Sequence, residues 1–283
     1  MHQTLINGVP RRTVDVGDRG LHYGDGLFET VAVRDGRPLL WARHLQRLVA
    51  GCRRLGIEAP SGDELEREAG RLCRGLERAV LKVIVTRGGG GRGYRPPHRG
   101  AATRIVSTHP WPDHARSHSL EGVTLRVCRT RLAVGHPLAG LKHLNRLEQV
   151  LARAEWDDPL IPEGLMLDHD GRLIGGTMSN VFLVKGDRLI TPDVSGSGVA
   201  GVMRGALLEL AHGAGVTPVV RALCLEELET ADELFVCNSL MGLWPVKAVD
   251  AGRRLQPGPV TRRLAERMAG ASGLGAGDAG AQD

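Results

Sequence analysis

The stretch "AGLKHLNRLEQVLARAEW", residues 139–156, joins an apolar loop to a helical pattern through one lysine. The apolar spacing after it predicts a helix from about residue 144 to residue 156. Lys142 stands at the junction, where rigid backbone can hold and partly desolvate a single amine. Such surroundings suit a lysine to Schiff-base chemistry, because they favour the uncharged nucleophile. The ordinary alternative is a solvated lysine at a helix start, a place that the helix dipole disfavours for a cation.

The composition sets the size and the class of the protein. The 283 residues, of which 42% are hydrophobic and 24% charged, suffice for one large domain or two of ordinary size. The five cysteines are odd in number and form no C-x-x-C pair, so we expect reduced thiols and no metal site. No apolar run is long enough to span a membrane, and the N-terminus lacks a secretory pattern. We therefore expect a soluble, cytoplasmic protein.

The charge pattern narrows the possible partners. The formal net charge of +5 comes mainly from arginines that are dispersed along the chain, and only nine residues are aromatic (four Trp, two Tyr, three Phe). Nucleic-acid binding needs a continuous basic face with interleaved aromatic residues, so we expect no nucleic-acid partner. A modest positive balance suits a small anionic substrate.

The first part of the chain predicts a small α+β domain over residues 1–112. Alternating apolar residues and turn dipeptides indicate antiparallel strands, and helical spacing follows. The predicted elements are strands joined by turns at Asn7-Gly8 and Asp35-Gly36, helices over 42–55 and 62–76 with Ser61 as N-cap of the second, and strands over 79–87 and 103–109.

The rest of the chain predicts a second, larger domain. Residues 113–121 are polar and lack periodicity, which is typical of a linker. Residues 122–270 contain many short strand patterns and few helical ones, so we expect a mixed-sheet, barrel-like α+β domain. Residues 271–283 are small and polar, and we expect a disordered tail there.

Two glycine-rich segments match G-x-G-x-x-G. The first begins at Gly88, and the two prolines that follow it cannot open the helix of a dinucleotide site. The second, residues 196–201, leads into a helical pattern, so the backbone N–H groups of Val202 and Met203 could hold a phosphate. Neither segment ends in G-K-[ST], which argues against a nucleoside triphosphate.

Two further pairs of side chains leave alternatives open. His44 and Arg47 lie at i and i+3 on one predicted helical face, either as a solvated pair or with the arginine reaching a phosphate. Tyr23 and Tyr94, the only tyrosines, both lie in glycine-rich turns. They either pack at the surface or border a binding site.

Seven motifs occur together in the order seen in the class IV fold of pyridoxal-phosphate (PLP) enzymes. They are "YGDGLFET", "RHLQRL", "TRGGGGRGY", "LKHLNRLEQV", "SNVF", "GVMR" and "ADELFVCNS", and the resemblance covers about residues 3–265. It implies a two-domain, D-amino acid aminotransferase-like fold with a small N-terminal α/β sandwich and a larger barrel-like domain. Within the family the chain most resembles the aminodeoxychorismate lyases, on "GLKHLNRLEQV" and "RGGGGRGY".

The resemblance implies roles for individual residues. Lys142 would form the internal aldimine with PLP and then move the proton in the lyase reaction, which yields 4-aminobenzoate and pyruvate. The implied phosphate ligands are Arg47, the backbone of Val202 and Met203, and Ser239. The segment with Gly175 and Asn180 would run beneath the cofactor ring, and the implied substrate-binding residues are Tyr23, Arg92 and Tyr94. Class IV enzymes are generally homodimers, so the resemblance implies a homodimer.

Gly175 departs from the family pattern. In most members a glutamate stands at this position in "LIGGTMSN" and pairs with the pyridine nitrogen of PLP. A protonated pyridine is the stronger electron sink, so the loss of the glutamate weakens the stabilisation of a carbanion by the cofactor. Three functions stay open: a lyase, a class IV aminotransferase for branched-chain or D-amino acids, and a weakly active PLP-binding protein.

Overall fold

The computed structural model of the protein describes residues 3–97, 100–135, 137–250, 252 and 254–272. Contacts along the chain divide it into two units. The first comprises Met1–Pro112 and Leu141–Asn145, and the second comprises Asp113–Gly140 and Arg146–Asp283. Lys142 therefore belongs to the first unit, although it follows the predicted linker. The predicted boundaries of folding domains stay a prediction.

A six-stranded antiparallel sheet forms the first unit. Its order is β2-β1-β6-β5-β3-β4, with β1 Thr4–Ile6, β2 Val9–Pro10, β3 Gly26–Arg34, β4 Arg37–Pro38, β5 Arg78–Thr86 and β6 Thr103–His109. Both predicted hairpin turns are confirmed. Asn7 and Asp35 have φ of 49° and 48°, and the glycines after them have φ of 81° and 76°. Consecutive left-handed residues fit the twist of a two-residue hairpin.

Three helices accompany this sheet: α1 Arg19–Tyr23, α2 Trp41–Leu55 and α3 Gly62–Cys73. Ser61 caps α3 as predicted, because its hydroxyl accepts from Glu64 N–H while the Glu64 carboxylate accepts from Ser61 N–H. The helix ends at Cys73 instead of residue 76, since Gly75 has a φ of 75°. No sequence pattern predicted α1, which Asp18 caps by accepting from Gly20 N–H.

The segment Leu141–Asn145 is extended, which corrects the predicted helix start. Phe28 N–H donates to Lys142 O at 3.0 Å, and Leu144 N–H donates to Gly26 O at 3.0 Å. The backbone of β3 thus satisfies groups that a first helical turn would leave without partners. The helix begins only at Leu147.

An eight-stranded mixed sheet forms the second unit. Its order is β12-β11-β10-β13-β14-β7-β8-β9. The pairs β11/β12, β14/β7 and β7/β8 are parallel, and the others are antiparallel. The strands are β7 Val123–Val127, β8 Glu163–Leu167, β9 Leu173–Gly176, β10 Asn180–Lys185, β11 Arg188–Pro192, β12 Thr217–Arg221, β13 Glu233–Asn238 and β14 Gly242–Val249. No sequence pattern predicted β14, which contains Pro245.

This sheet curls into a half-barrel. Leu173 N–H in edge strand β9 donates to Leu223 O at 2.8 Å, just beyond the opposite edge strand β12. Arg172 and Cys224 pair beside it. Buried apolar side chains, among them Leu125, Leu165 and Trp244, fill the interior. The predicted α+β fold with a barrel-like second part is confirmed.

The described residues of the second unit form four α-helices, α4 Ser117–Leu120, α5 Leu147–Arg153, α6 Val202–Leu210 and α7 Pro259–Ser272, and two short 3-10 helices, His212–Ala214 and Leu225–Thr230. The segment predicted as a linker contains α4, and the rings of His114 and His118 lie 4.9 Å and 4.7 Å from that of Trp244. The predicted disordered tail overlaps the end of α7, and its residues 273–283 lie outside the described part of the chain. Of the described helices, none combines the length and the apolar character needed to cross a membrane.

Candidate active site

Lys142 lies half-buried against the ring of Phe28. Its Nζ is 4.3 Å from the centroid of that ring, and Nζ of Lys82 on β5 is 5.6 Å from the same centroid. An aromatic face attracts an amine without accepting a conventional hydrogen bond from it. Lys142 lies five residues ahead of the start of α5 at Leu147, so the dipole of this helix does not disfavour its charge.

Glu29 on β3 forms a buried cluster with two side chains of α2. Arg47 donates from Nε to Glu29 Oε1 at 2.8 Å and from Nη2 to Oε2 at 2.5 Å. His44 Nδ1 is 2.6 Å from the same Oε2. Glu29 and His44 are 2% and 1% exposed, so the solvated alternative for this helical face is wrong. Arg47 is instead fixed by a two-point contact with a carboxylate.

The protonation states in this cluster follow from burial and hydrogen bonding. Burial opposes ionisation of Glu29, but hydrogen bonds from His44 and Arg47 outweigh it, so the pKa of this carboxyl lies below its ordinary value. Burial also lowers the pKa of His44, and this effect exceeds the opposing attraction of Glu29. His44 is therefore neutral near pH 7, with the Nδ1 proton donated to Glu29. Its Nε2 is buried and accepts no hydrogen bond from the described residues.

Tyr23 and Tyr94 come together in the first unit. Their ring centroids are 5.6 Å apart, and Gly93 N–H donates to the Tyr23 hydroxyl at 3.2 Å. Arg19 holds this loop, since its Nη1 and Nη2 donate to Gly93 O and Tyr94 O at 2.9 Å and 3.1 Å. The side chains of Tyr94 and Arg92 point outward, with Tyr94 86% exposed. No hydrogen bond holds the Arg92 side chain to any residue that the structure describes.

α6 in the second unit begins without a side-chain cap. Its N-cap is Gly201, and a Cβ there would lie 2.0 Å from Asn180 Oδ1, so a larger residue would displace the Asn180 amide. Asn180 Nδ2 donates to Val199 O at 2.9 Å and fixes the loop that enters the helix. The N–H groups of Val202 and Met203 therefore stand at the positive end of a helix with no capping side chain.

Gly175 and Gly176 lie where side chains would collide with the turn that follows β9. A Cβ at Gly175 would lie 2.8 Å from Ser179 O. A Cβ at Gly176 would lie 2.2 Å from Ser179 Oγ and 2.7 Å from Glu163 Oε2. The close approach at Gly175 is to backbone, whereas the nearest atoms at Gly176 belong to side chains.

Glu163 on β8 anchors this turn. Its carboxylate is fully buried and accepts five hydrogen bonds. Oε1 accepts from the N–H groups of Gly164 and Thr177 and from the Thr177 hydroxyl, at 2.8, 3.0 and 2.5 Å. Oε2 accepts from Met178 N–H at 3.1 Å and from the Ser179 hydroxyl at 2.7 Å. A carboxylate offers about four lone-pair sites, so Glu163 has no capacity for a further donor.

Ser239 lies half-buried in the turn that follows β13. Asn238 organises this turn, because its Oδ1 accepts from the N–H groups of Leu240 and Met241 at 2.9 Å each. Its Nδ2 donates to Met178 O at 3.2 Å. The turn that carries Ser239 is therefore tied to the turn that Glu163 anchors.

Similarity to known proteins decides the family. Residues 26–249 match the amino-transferase class IV family. The chain belongs to this family. Aminodeoxychorismate lyase of Vibrio harveyi is 38% identical over 262 residues, which are 92% of this chain and 97% of that protein.

Solved structures of class IV enzymes share the fold. The 4-amino-4-deoxychorismate lyase of Pseudomonas aeruginosa superposes with a TM-score of 0.90 at 50% identity, over 94% of this chain and 98% of that one. The branched-chain amino acid aminotransferase of Escherichia coli has a TM-score of 0.85 at 27% identity, over 96% of this chain and 95% of that one.

The buried carboxylates of this class IV chain are all engaged. PLP enzymes commonly pair the pyridine nitrogen of the cofactor with a protein side chain. Each of the six buried acids in the described residues already holds protein donors: Asp18 binds Gly20 and Thr86, Glu29 binds His44 and Arg47, Glu68 binds Arg104, Glu163 binds its turn, Asp168 binds Arg172, and Glu233 binds Val260 and Thr261. The described residues thus fit an amine-linked, phosphate-bearing cofactor, and each buried acid among them already has a protein partner.

The sequence did not predict the roles of Glu29 and Glu163, although one of them left a trace. Glu29 shares a face of β3 with Leu27, Val31 and Val33, all of which are buried. A lone acid on an apolar strand face indicates a buried polar partner, and His44 and Arg47 are that partner. Glu163 left no comparable trace, because four of its five donors come from a turn whose course the sequence does not reveal.

Proposed function

We propose that the protein is a PLP-dependent lyase that converts 4-amino-4-deoxychorismate to 4-aminobenzoate and pyruvate. The observation that carries the proposal is the similarity to two aminodeoxychorismate lyases, at 38% and 50% identity over almost the whole chain. The half-buried Lys142 on Phe28 supports it, because the reaction needs a lysine that alternates between binding the cofactor and carrying a proton.

Lys142 binds the cofactor through Nζ and later serves as the base. PLP, when bound, supplies an electron sink for the pair released at the carbon that bears the substrate amine. Nζ of Lys142, set free by the substrate, takes the proton from that carbon. The bond between the neighbouring carbon and the ether oxygen then breaks, the released enolpyruvate takes up a proton at its methylene carbon to become pyruvate, and the ring becomes aromatic.

We assign the phosphate of the cofactor to Arg47, to the backbone of Val202 and Met203, and to Ser239. Arg47 supplies N–H groups of its guanidinium, which Glu29 holds in place. The other donors are the N–H groups of Val202 and Met203 and the side chain of Ser239. The uncapped start of α6 supports this assignment, because a dianion there satisfies groups that no side chain reaches.

The substrate carboxylates are assigned to the loop that carries Arg92 and Tyr94, beside Tyr23. A guanidinium and two phenolic hydroxyls are suitable donors for carboxylates. The contact between the two tyrosine rings and the hydrogen bonds from Arg19 to Gly93 O and Tyr94 O support an ordered conformation of this loop. Gly175 and Asn180 are assigned to the strand and loop beneath the cofactor ring.

An aminotransferase is the second candidate, favoured by the likeness to the Escherichia coli branched-chain enzyme. The lack of an acid at Gly175 argues for the lyase. An elimination that ends in an aromatic ring releases a large free energy and tolerates a weaker electron sink. A reversible transamination has no comparable driving force. A weakly active PLP-binding protein is the third possibility.

Product analysis distinguishes the three. The purified protein is incubated with 4-amino-4-deoxychorismate, and 4-aminobenzoate and pyruvate are measured beside a panel of amino acids with 2-oxo acids. The wild type is expected to be yellow from bound cofactor, and Lys142→Ala is expected to lose both colour and product. Transamination without 4-aminobenzoate identifies an aminotransferase, and a colourless wild type that PLP cannot restore contradicts all three candidates.

We also propose that the protein is a homodimer and lies in the cytoplasm. Leu147, Val150 and Leu151 lie at helical spacing on α5 and are 74%, 58% and 61% exposed. Three large apolar side chains on one exposed face are typical of an interface. Leu151→Asp is expected to shift the sedimentation of the protein towards a monomer, whereas Glu148→Gln on the same helix is not. An unchanged dimer in Leu151→Asp places the interface elsewhere.

A further inference from the structure

The guanidinium of Arg47 is fixed along one edge. Glu29 Oε1 and Oε2 accept from its Nε and Nη2 at 2.8 Å and 2.5 Å. A two-point contact sets the plane of the group as well as its position, which a single hydrogen bond does not. The direction of the opposite edge is therefore set before any ligand arrives, so its ordering entropy is not lost on binding.

Glu29 in turn depends on His44. The carboxylate is 2% exposed, and His44 Nδ1 donates to the Oε2 that also accepts from Arg47. His44 is itself 1% exposed and comes from the preceding turn of the same helix as Arg47. Without the histidine, Glu29 would have the arginine as its main partner and could rotate with it.

The charges of this cluster show what it does for a ligand. One carboxylate and one guanidinium cancel, and His44 is neutral. A cluster with no net charge attracts a distant anion weakly. It can contribute to binding only at short range, through donor groups that point at the ligand. We propose that His44 and Glu29 are positioning residues that aim the Arg47 guanidinium at the phosphate of PLP. This inference rests on the proposed function, which assigns Arg47 to that phosphate.

The rival explanation is a structural one, in which the three side chains merely join β3 to α2. The two explanations differ in one measurable quantity, the preference of the protein for PLP over pyridoxal, which lacks the phosphate. A joint between two elements affects the binding of both compounds equally. A positioning role affects PLP alone.

The experiment measures dissociation constants of PLP and pyridoxal for the full-length apoprotein, by the visible absorbance of the bound compound. His44→Leu removes the donor to Glu29 at similar volume, and His44→Asn keeps an N–H near the place of Nδ1. Arg47→Lys keeps the charge and loses the two-point contact. Thermal unfolding of each variant reports the damage to the fold.

Arg47→Lys is expected to lower the preference for PLP about tenfold to a hundredfold, as for the loss of a charge-assisted hydrogen bond. His44→Leu is expected to lower it about threefold to tenfold, and His44→Asn to retain it within about twofold. If Arg47→Lys leaves the preference unchanged, the assignment of Arg47 to the phosphate is wrong. If Arg47→Lys lowers it and His44→Leu does not, or His44→Asn behaves as His44→Leu, the positioning role is wrong while the proposed function stands.

Discussion

Replacing Gly175 by glutamate restores the acid that most class IV enzymes have, and Gly175→Ala is its matched control. A Cβ at this position would lie 2.8 Å from Ser179 O, about 0.6 Å short of ordinary contact. Overpacking of this kind costs about 1–3 kcal/mol in the free energy of unfolding. At about 2–4 °C per kcal/mol for a protein of this size, both variants should melt about 2–12 °C below the wild type.

The difference in PLP affinity between the two variants measures the effect of the carboxylate itself. A charge-assisted hydrogen bond to the pyridine nitrogen is worth about 1.5–3 kcal/mol, so Gly175→Glu should bind PLP about tenfold to a hundredfold more tightly than Gly175→Ala. The assay is a titration of the apoprotein with PLP, followed by the rate of 4-aminobenzoate formation at saturating PLP. Equal PLP affinity and equal rates in the two variants would refute the reasoning about the missing acid.

Three further predictions concern single positions. Gly201→Ala should weaken PLP binding and lower the melting temperature, since its Cβ would lie 2.0 Å from Asn180 Oδ1, whereas Gly205→Ala on the same helix meets no atom within 4 Å and should stabilise by about 0.5–1 kcal/mol. Glu163→Gln should lower the free energy of unfolding by about 2–4 kcal/mol in urea, because it leaves buried donors unpaired; a loss below 1 kcal/mol would contradict the anchoring role. The pKa of His44 is lower in the folded protein than its ordinary 6.5, so below pH 6.5 the unfolded state binds more protons and the free energy of unfolding decreases as the pH is lowered. His44→Asn should reduce this dependence on pH, and an unchanged dependence would contradict a buried neutral imidazole.

Local patterns predicted the strands and helices well where the cause was local. The turns at Asn7-Gly8 and Asp35-Gly36 and the cap at Ser61 depend on a few neighbouring residues, and all three are confirmed. The helix predicted from residue 144 began late for the opposite reason. The backbone of residues 142 and 144 pairs with β3, which lies more than a hundred residues earlier in the chain.

The roles of the candidate site residues differ in how visible they were. Lys142 and Arg47 stood out by residue type and by resemblance to class IV enzymes, and their roles stay predictions. Glu29 did not stand out, although it decides the orientation of Arg47. A buried ion pair between a strand and a helix has no fixed spacing in sequence, so the position of one partner does not predict the position of the other.

The sequence by itself determined the family and the PLP dependence that goes with it, and it predicted the departure at Gly175, because these depend on residue identities in a fixed order. Only the tertiary structure decided what surrounds those residues. It placed Lys142 on Phe28, brought Ser179 O within 2.8 Å of a Cβ at Gly175, and gave Glu163 four donors from one turn besides Gly164 N–H. The physical reason is that hydrogen bonds and steric contacts depend on distances between segments, and those distances exist only after the sheets have formed.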